Sequence, residues 1–260
     1  MNTELLNKSL VQKNLLSRII YFEELASTNG YSKENHFELE DNTIVLTSNQ
    51  TNGKGRFGRP WYTAKNENLT FTLIKDYGIR IDEIHMMNFY TSYILFLTIK
   101  LMSDNFRSNE LFLKWPNDLL LNRKKIAGIL LDVKDLNSDL KKFIIGIGIN
   151  VNQQNFPEEI KLKASSLKNE FKTDFIIEDL LIEFIEQYYK NLNLLDDSIQ
   201  LMHLWKSNSD FFGKKVKFTQ LADGNVAEVK LVDIDFDGGL IVSDDSGKLS
   251  KFYSGEINIE

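Results

Sequence analysis

Residues 53–61 read Gly-Lys-Gly-Arg-Phe-Gly-Arg-Pro-Trp, and they form the centre of an acid-free segment in an otherwise acidic chain. No aspartate or glutamate occurs between Asp41 and Glu67, whereas residues 43–66 contain four lysines and arginines. Glycines allow backbone amides to approach an anion closely, and arginine can pair two hydrogen bonds with a phosphate or a carboxylate. We therefore interpret residues 53–59 as an anion-binding loop and not as a solvated basic hairpin tip.

Two apolar, alternating segments flank this loop, at residues 43–48 and 69–74, and both are predicted to be strands. The three glycines of the loop also match the spacing of the dinucleotide fingerprint, which requires a helix to open at the third glycine. Pro60 disfavours helical geometry at Arg59. We expect no helix to start at Gly58, and the dinucleotide interpretation is disfavoured.

The composition limits the class of protein. With 260 residues, of which 42% are hydrophobic, the chain can form one large domain or one domain plus a small module. The longest apolar runs, such as Phe143 to Ile149, are too short to span a bilayer as a helix. The absence of cysteine excludes disulfides and zinc–sulfur sites and fits a cytoplasmic protein. The net charge of −6 disfavours a nucleic-acid partner.

The spacing of apolar residues predicts helices and strands along the rest of the chain. We expect helices at 4–20, after the capping residues 27–29, and at 82–104, 175–195 and 197–210. A strand should begin at residues 21–22, and other strands are expected at 111–115, 119–121, 126–133 and 143–151. After Phe212, short alternating segments punctuated by glycine predict a small five-stranded barrel.

Two further motifs carry chemistry. Lys114 ends an apolar strand before Trp-Pro-Asn-Asp, which would hold its charge out of a fixed scaffold, although many strand-end lysines are simply exposed. Gly146 and Gly148 alternate within a strand, so they share one face and would open an apolar slot for a ligand or for a packed helix. Asn150, at the end of that strand, could contact a base, a ribose or a turn.

Taken together, the motifs resemble those of the biotin protein ligases, the biotin–[acetyl-CoA-carboxylase] ligase family. The resemblance rests on five motifs in the family's order, at residues 27–29, at Gln50 with the loop 53–59, and at 114–118, 125–130 and 146–150. It implies an α+β fold, with a mixed central sheet and flanking helices in a catalytic domain at 1–212. An SH3-like C-terminal domain is implied at 213–260.

The resemblance also implies two reactions. Biotin and MgATP form biotinyl-5′-AMP and pyrophosphate, and the biotinyl group then passes to a lysine of a carrier protein. Lys114 and Arg56 are the implied catalytic residues, and no metal is expected to be held by the protein itself. The implied biotin-binding residues are Ser27, Thr28, Asn29, Gln50, Gly53, Lys54, Arg56, Lys114, Gly146 and Gly148. The implied ATP-binding residues are Lys54, Arg56, Arg59, Trp61, Lys114, Asn117 and Asn150.

Two positions depart from the family pattern, since Lys54 replaces a common arginine and Phe57 a residue that is often basic. Lysine cannot make the paired contact of a guanidinium, so we expect looser retention of the adenylate. The loop 53–59 is expected to be mobile and to become ordered around the ligand.

The implied partner is the biotin carboxyl carrier domain of acetyl-CoA carboxylase or of another biotin-dependent carboxylase. The roughly twenty residues before Tyr21 are too few for the helix-turn-helix of the repressor members, so no specific DNA binding is expected. A homodimer through the edge of the central sheet is left open. Two alternative functions remain, namely a lipoate or octanoate protein ligase of the related superfamily and a non-catalytic nucleotide-binding scaffold.

Overall fold

A seven-stranded mixed sheet forms the centre of the protein, whose computed structural model describes residues 1–80, 83–103, 110–137, 140–220 and 224–258. Its strands lie in the order β1-β2-β3-β7-β6-β5-β4. The first two strands are parallel to each other, and all other neighbours in this sheet are antiparallel. The strands are β1 (Arg18–Phe22), β2 (Thr43–Thr47), β3 (Asn68–Tyr77), β4 (Leu111–Lys114), β5 (Asp118–Leu121), β6 (Lys124–Asp135) and β7 (Lys141–Asn150).

Alternation along β7 separates the two faces of this sheet. The odd-numbered residues Phe143 to Ile149 join the main hydrophobic core, into which helices on one face also pack. The even-numbered residues Gly146 and Gly148 face the opposite side, where a short helix leaves room for a cavity. The helices are α1 (Thr3–Leu6), α2 (Thr28–Glu34), α3 (His85–Met102), α4 (Leu167–Phe171), α5 (Ile177–Lys190) and α6 (Ser198–Ser207).

The C-terminal segment folds as a five-stranded antiparallel sheet in the order β11-β10-β9-β8-β12, which is consistent with the expected SH3-like module. Pairings among the described residues run as an open series from β11 to β12, without a bond closing them into a barrel. Buried Phe218, Leu231 and Ile257 of this sheet belong to the same core as the large sheet. The strands are β8 (Lys215–Thr219), β9 (Val226–Ile234), β10 (Leu240–Ser243), β11 (Leu249–Phe252) and β12 (Glu256–Asn258).

The start of the chain differs from the prediction. Instead of a helix over 4–20, α1 is followed by one π-helical segment at Asn7–Val11, and residues 18–22 form β1. A strand therefore ends at Phe22 where one was expected to begin. Three of the apolar residues in this segment, Leu6, Leu10 and Leu16, lie in the core. Pairing of β1 with β2 overrides the helical periodicity of the last residues.

The other boundaries differ by a few residues. The helix predicted at 175–195 divides into α5 and a 3-10 turn at Leu192–Leu195, and α4 was not predicted. Residues 82 and 104, the predicted ends of α3, lie outside the described residues. The family-derived division at 212/213 remains a prediction. No helix in the described part of the chain has the length and apolar character that a membrane crossing demands.

Candidate active site

A cavity of about 340 Å³ lies on the α2 side of the large sheet. It is bounded by the loop 53–61, by β6 and β7, and by residues 255–258 of the C-terminal sheet. Of the predicted site residues, Gly53 does not line it. Thirteen do, namely Ser27, Thr28, Asn29, Gln50, Lys54, Arg56, Arg59, Trp61, Lys114, Asn117, Gly146, Gly148 and Asn150.

One end of the cavity is a connected group of hydrogen-bonding side chains at the start of α2. Ser27 caps this helix, and its Oγ accepts a hydrogen bond from the Gly30 amide at 3.1 Å. The amide of Thr28 donates to Oε1 of Gln50 at 2.9 Å, and its hydroxyl donates to the same oxygen at 3.3 Å. Since Thr28 and Gln50 are buried, these bonds fix their orientation.

The loop 53–61 is a small hairpin closed at its base by backbone hydrogen bonds. The Trp61 amide donates to the Gly53 carbonyl at 2.9 Å, and the Gly55 amide donates to the Arg59 carbonyl at 2.8 Å. A Cβ on Gly53 would collide with the Gln50 side chain, so this glycine permits close approach without lining the cavity. As predicted, no helix starts at Gly58, because Arg59 is extended with ψ of 139°.

The opposite end of the cavity holds a buried carboxylate among three cations. Oδ1 of Asp118 lies 2.6 Å from Nζ of Lys125, and Oδ2 lies 4.0 Å from Nζ of Lys114. Burial lowers the pKa of Lys114, an effect that Asp118 partly offsets. Burial raises the pKa of Asp118, but Lys125, Lys114 and Arg56 together hold it below its ordinary value. The net positive charge makes this end suited to an anion.

The two arginines of the loop are held by different modules. Nη1 of Arg56 donates to Oδ1 of Asn117 at 3.4 Å, and burial lowers the pKa of this arginine from its usual value. Nη2 of Arg59 forms an ion pair with Glu256 of β12 at 2.8 Å. Nε1 of Trp115 donates to the Gly238 carbonyl at 3.1 Å, so the C-terminal sheet also contacts the turn after Lys114.

The glycine slot predicted in β7 is filled along its length by two side chains. Asn29 lies over Gly146, and the indole of Trp61 lies over Gly148 and touches the Gly128 side of β6. Nζ of Lys125 lies 5.3 Å from the centre of the indole ring. Nε1 of Trp61 is buried without a hydrogen-bond partner among the described residues. The indole thus presents an unused donor inside the cavity.

The two asparagines predicted to contact a nucleotide use their amide nitrogens to hold the cavity walls. Nδ2 of Asn117 donates to the Ile129 carbonyl, and Nδ2 of Asn150 donates to the Ser165 carbonyl at 2.9 Å. Both side chains are buried. Their assignment as base or ribose contacts remains a prediction.

None of Lys125, Asp118 and Glu256 was assigned an individual role from the sequence, although the motifs at 114–118 and 125–130 include the first two. The structure places all three on the cavity wall. The signal for Lys125 was its position directly before Ile-Ala-Gly-Ile-Leu, on a strand that carries the slot glycine Gly128. The described residues contain no group of three or more metal-binding side chains.

Comparisons with known proteins agree with this architecture. A model of the biotin/lipoate A/B protein ligase family matches residues 21–150, half of the chain, and a model of the biotin protein ligase C-terminal domain matches residues 211–259. A solved biotin protein ligase from Aquifex aeolicus, in complex with biotin and ATP, superposes with a TM-score of 0.75 at 26% identity. The match covers 93% of this chain and 97% of that one.

Two curated relatives extend the comparison. The bifunctional ligase/repressor BirA of Bacillus subtilis (strain 168) is 28% identical over 248 residues, which cover 93% of this chain and 74% of that protein. A biotin–[acetyl-CoA-carboxylase] ligase of Mycobacterium tuberculosis (strain ATCC 25618 / H37Rv) is 28% identical over 133 residues, or 49% of this chain and 45% of that protein.

Proposed function

Because this chain belongs to the biotin/lipoate A/B protein ligase family, we propose that it activates biotin with ATP and transfers the biotinyl group to a carrier-protein lysine. The observation that carries the proposal is one cavity with two unlike ends. A neutral hydrogen-bonding cluster lies at Thr28 and Gln50, and a cationic group surrounds Asp118 at the other end. Biotin has the same division, with a polar ring at one end and a carboxylate at the other.

The polar end receives the ureido ring of biotin. Ser27, Thr28, Asn29 and Gln50 supply fixed donors and acceptors there, and the apolar ring and tail lie along the part of β7 at Gly146 and Gly148, over which Asn29 and Trp61 pack. Buried groups whose orientation is set by neighbouring bonds lose little entropy when a ligand binds. The polar end therefore supplies much of the recognition of biotin.

The cationic end brings together two anions that otherwise repel each other. A carboxylate oxygen of biotin attacks the α-phosphorus of ATP, a new C–O–P linkage forms, and the bond to pyrophosphate breaks. Lys114, Lys125 and Arg56 surround this position and offset the negative charge that develops as the bonds exchange. Asp118 keeps the two ammonium groups together before the substrates arrive.

The nucleotide lies toward Trp61, Arg59, Asn117 and Asn150, with Lys54 and Arg56 of the loop between it and biotin. Magnesium enters as part of the MgATP substrate, since the described cavity residues include only Asp118 and Glu256 as carboxylates and both are paired with cations. In the second reaction an amine nitrogen of the carrier lysine attacks the acyl carbon, AMP leaves, and the amine loses a proton as the amide forms.

The acceptor is the biotin carboxyl carrier domain of acetyl-CoA carboxylase or of a similar biotin-dependent carboxylase, and the reaction takes place in the cytoplasm. The name of the Mycobacterium tuberculosis relative supports this acceptor. We further propose the division into domains at 1–212 and 213–260. A homodimer through an edge of the large sheet, formed by β1 or β4, stays a prediction.

The test is pyrophosphate release and carrier labelling with MgATP and biotin, lipoate or octanoate as the acid. Biotin-dependent release and labelling are expected, while labelling with lipoate or octanoate alone would assign the other branch of the family. Ligand binding without pyrophosphate release would identify a non-catalytic nucleotide-binding protein.

Variants of the cationic end test its role within that assay. Lys114→Ala and Lys125→Ala are each expected to lower adenylation about a hundredfold, because each removes a charge next to the reacting groups. Lys124→Ala is the matched control on the same strand, since Lys124 is half-buried, lies outside the cavity lining and pairs with Glu170. Equal activity of all three variants would contradict the assignment.

A further inference from the structure

Asp132, which does not line the cavity, is the only carboxylate of the described residues that the structure bonds to a side chain of the polar end. Its Oδ2 accepts a hydrogen bond from Nδ2 of Asn29 at 2.7 Å, and its Oδ1 lies 3.4 Å from Nζ of Lys33. Asp132 lies on β6 on the same face as Gly128, opposite Ile144 of β7. Asp132 therefore contacts the polar end of the cavity through Asn29 and does not line the cavity itself.

This contact fixes which way the Asn29 amide points. A carboxylate only accepts hydrogen bonds, so the NH2 group of Asn29 must face Asp132 and the oxygen must face away from it. That oxygen lies beside Gly146, 2.9 Å from where a Cβ would stand. At this place the Asn29 side chain therefore presents its carbonyl oxygen to the cavity, and not its amide nitrogen.

The neighbouring hydroxyls leave that oxygen available. The Thr28 hydroxyl donates to Gln50, so it accepts the proton of Thr72 at 3.0 Å. Thr72 has a single hydroxyl proton, and its contact with Oδ1 of Asn29 is longer, at 3.5 Å. Oδ1 thus retains acceptor capacity toward the cavity.

Gln50 is oriented in the opposite sense. Its Oε1 already accepts from the amide and the hydroxyl of Thr28, which leaves Nε2 as the group that can donate. An acceptor on Asn29 and a donor on Gln50 match the N–H and C=O edge of a cyclic urea. The dithiolane ring of lipoate and the alkyl end of octanoate have neither group.

We propose that Asp132 is a positioning residue that selects ring N–H ligands by holding the Asn29 oxygen toward the cavity. The inference rests on the proposed function and deepens it, since it names the group that separates biotin from the other acids of this family. Asp132 acts through Asn29 and touches no reacting atom.

The experiment measures adenylation kinetics and equilibrium binding of biotin and lipoate for Asp132→Asn, Asp132→Ala and Asp132→Glu. We expect the KM and Kd for biotin to rise by about ten- to a hundredfold in Asp132→Ala, the range for losing a hydrogen bond to a charged group, and by less in Asp132→Asn, whose amide oxygen can still accept. The kcat, the KM for ATP and the Kd for lipoate should stay within about twofold, and Asp132→Glu should recover most of the biotin affinity.

A double-mutant cycle shows whether the effect passes through Asn29. In an Asn29→Ala background, Asp132→Ala should have no further effect on biotin binding. Asp135→Asn is the matched control, since it removes an exposed carboxylate from the same strand, and Lys33→Met removes the other partner of Asp132. Both should bind biotin as the parent does.

Unchanged biotin affinity in Asp132→Ala, or equal losses for biotin and lipoate, would overturn the inference. So would a full effect of Asp132→Ala in the Asn29→Ala background. Failure of the proposed function is a separate result, because the parent protein would then fail to release pyrophosphate with biotin. If the parent binds biotin without releasing pyrophosphate, the binding measurements still test the role of Asp132.

Discussion

The indole of Trp61 lies so close to Gly148 that a Cβ on this glycine would stand 2.5 Å from Cε2 of the ring. The same ring covers the position where a nucleotide is proposed to lie, and its Nε1 has no partner among the described residues. The backbone of β7 therefore sets how deep the indole can sit. Gly146 has the corresponding relationship with Asn29, at the polar end of the cavity.

Alanine substitution at Gly146 and at Gly148 should raise the KM for different substrates. Gly148→Ala pushes Trp61 outward and should raise the KM for ATP about tenfold, whereas Gly146→Ala displaces Asn29 and should raise the KM for biotin by a similar factor. Steady-state kinetics with each substrate varied in turn measures both effects. An increase in the same KM for both variants would show that the slot does not divide in this way.

The pKa of Lys114 predicts the alkaline side of the pH profile. Burial lowers this pKa from its usual value of 10.5, so the free enzyme should lose the Lys114 charge, and with it adenylation, at a lower pH than an exposed lysine would cause. Lys114→Arg keeps the charge at high pH and should move the alkaline limb of kcat/KM for ATP upward. If the alkaline limb does not move in Lys114→Arg, a group other than Lys114 sets its position.

We expect Arg56 to contribute more to retaining biotinyl-AMP than to forming it. Arg56→Gly removes a guanidinium that is held against Asn117 at the cationic end, so adenylation should continue while free biotinyl-AMP escapes into solution. Chromatography of the reaction mixture without carrier measures the released fraction. Lys65→Ala is the control, because it removes an exposed cation of the same acid-free segment that pairs with Glu23 outside the cavity. Equal release from parent and Arg56→Gly would contradict the assignment.

Asp118 should contribute stability that depends on pH. Its folded-state pKa is below the ordinary value of 3.8, because three cations outweigh the effect of burial. A lowered pKa gives stability that is fully present above the unfolded value and is lost as the pH falls through the folded value. Asp118→Asn should lower the free energy of unfolding by about 3 kcal/mol at neutral pH.

Denaturant unfolding at several pH values checks this prediction. The difference between parent and Asp118→Asn should be constant near neutrality and should shrink below about pH 4, where the carboxylate begins to protonate. Asp210→Asn offers a comparison, since Asp210 also has a lowered pKa but pairs with Lys214 and Arg123 near the surface. A difference for Asp118→Asn that grows toward low pH would have the wrong sign.

Local rules were sufficient for much of the site. Alternation along a strand placed Gly146 and Gly148 on one face, and the capping preference of serine placed Ser27 at the start of α2. Pro60 correctly argued against a helix at Gly58. Each of these inferences depends on residues that are neighbours in sequence.

Lys125 could not be assigned in this way because of a bulge between β5 and β6. Strict alternation from Gly128 would put Lys125 on the face away from the cavity. The register shifts between Leu119 and Leu120, which gives β6 one extra residue at Ile126 and returns Lys125 to the Gly128 face. The pairing of Lys125 with Asp118 follows from that bulge, which the apolar pattern does not reveal.

The contacts of the C-terminal sheet have a consequence for exchanging parts between relatives. Its Glu256 holds Arg59 on one side of the cavity, and its Gly238 carbonyl receives the Trp115 indole next to Lys114 on the other. A chimera that joins this catalytic sheet to a foreign C-terminal module would import a new set of donors and acceptors at both places. The two segments are thus matched to each other. Recombination at the proposed 212/213 boundary would leave the cavity unchanged only if the new module kept both contacts.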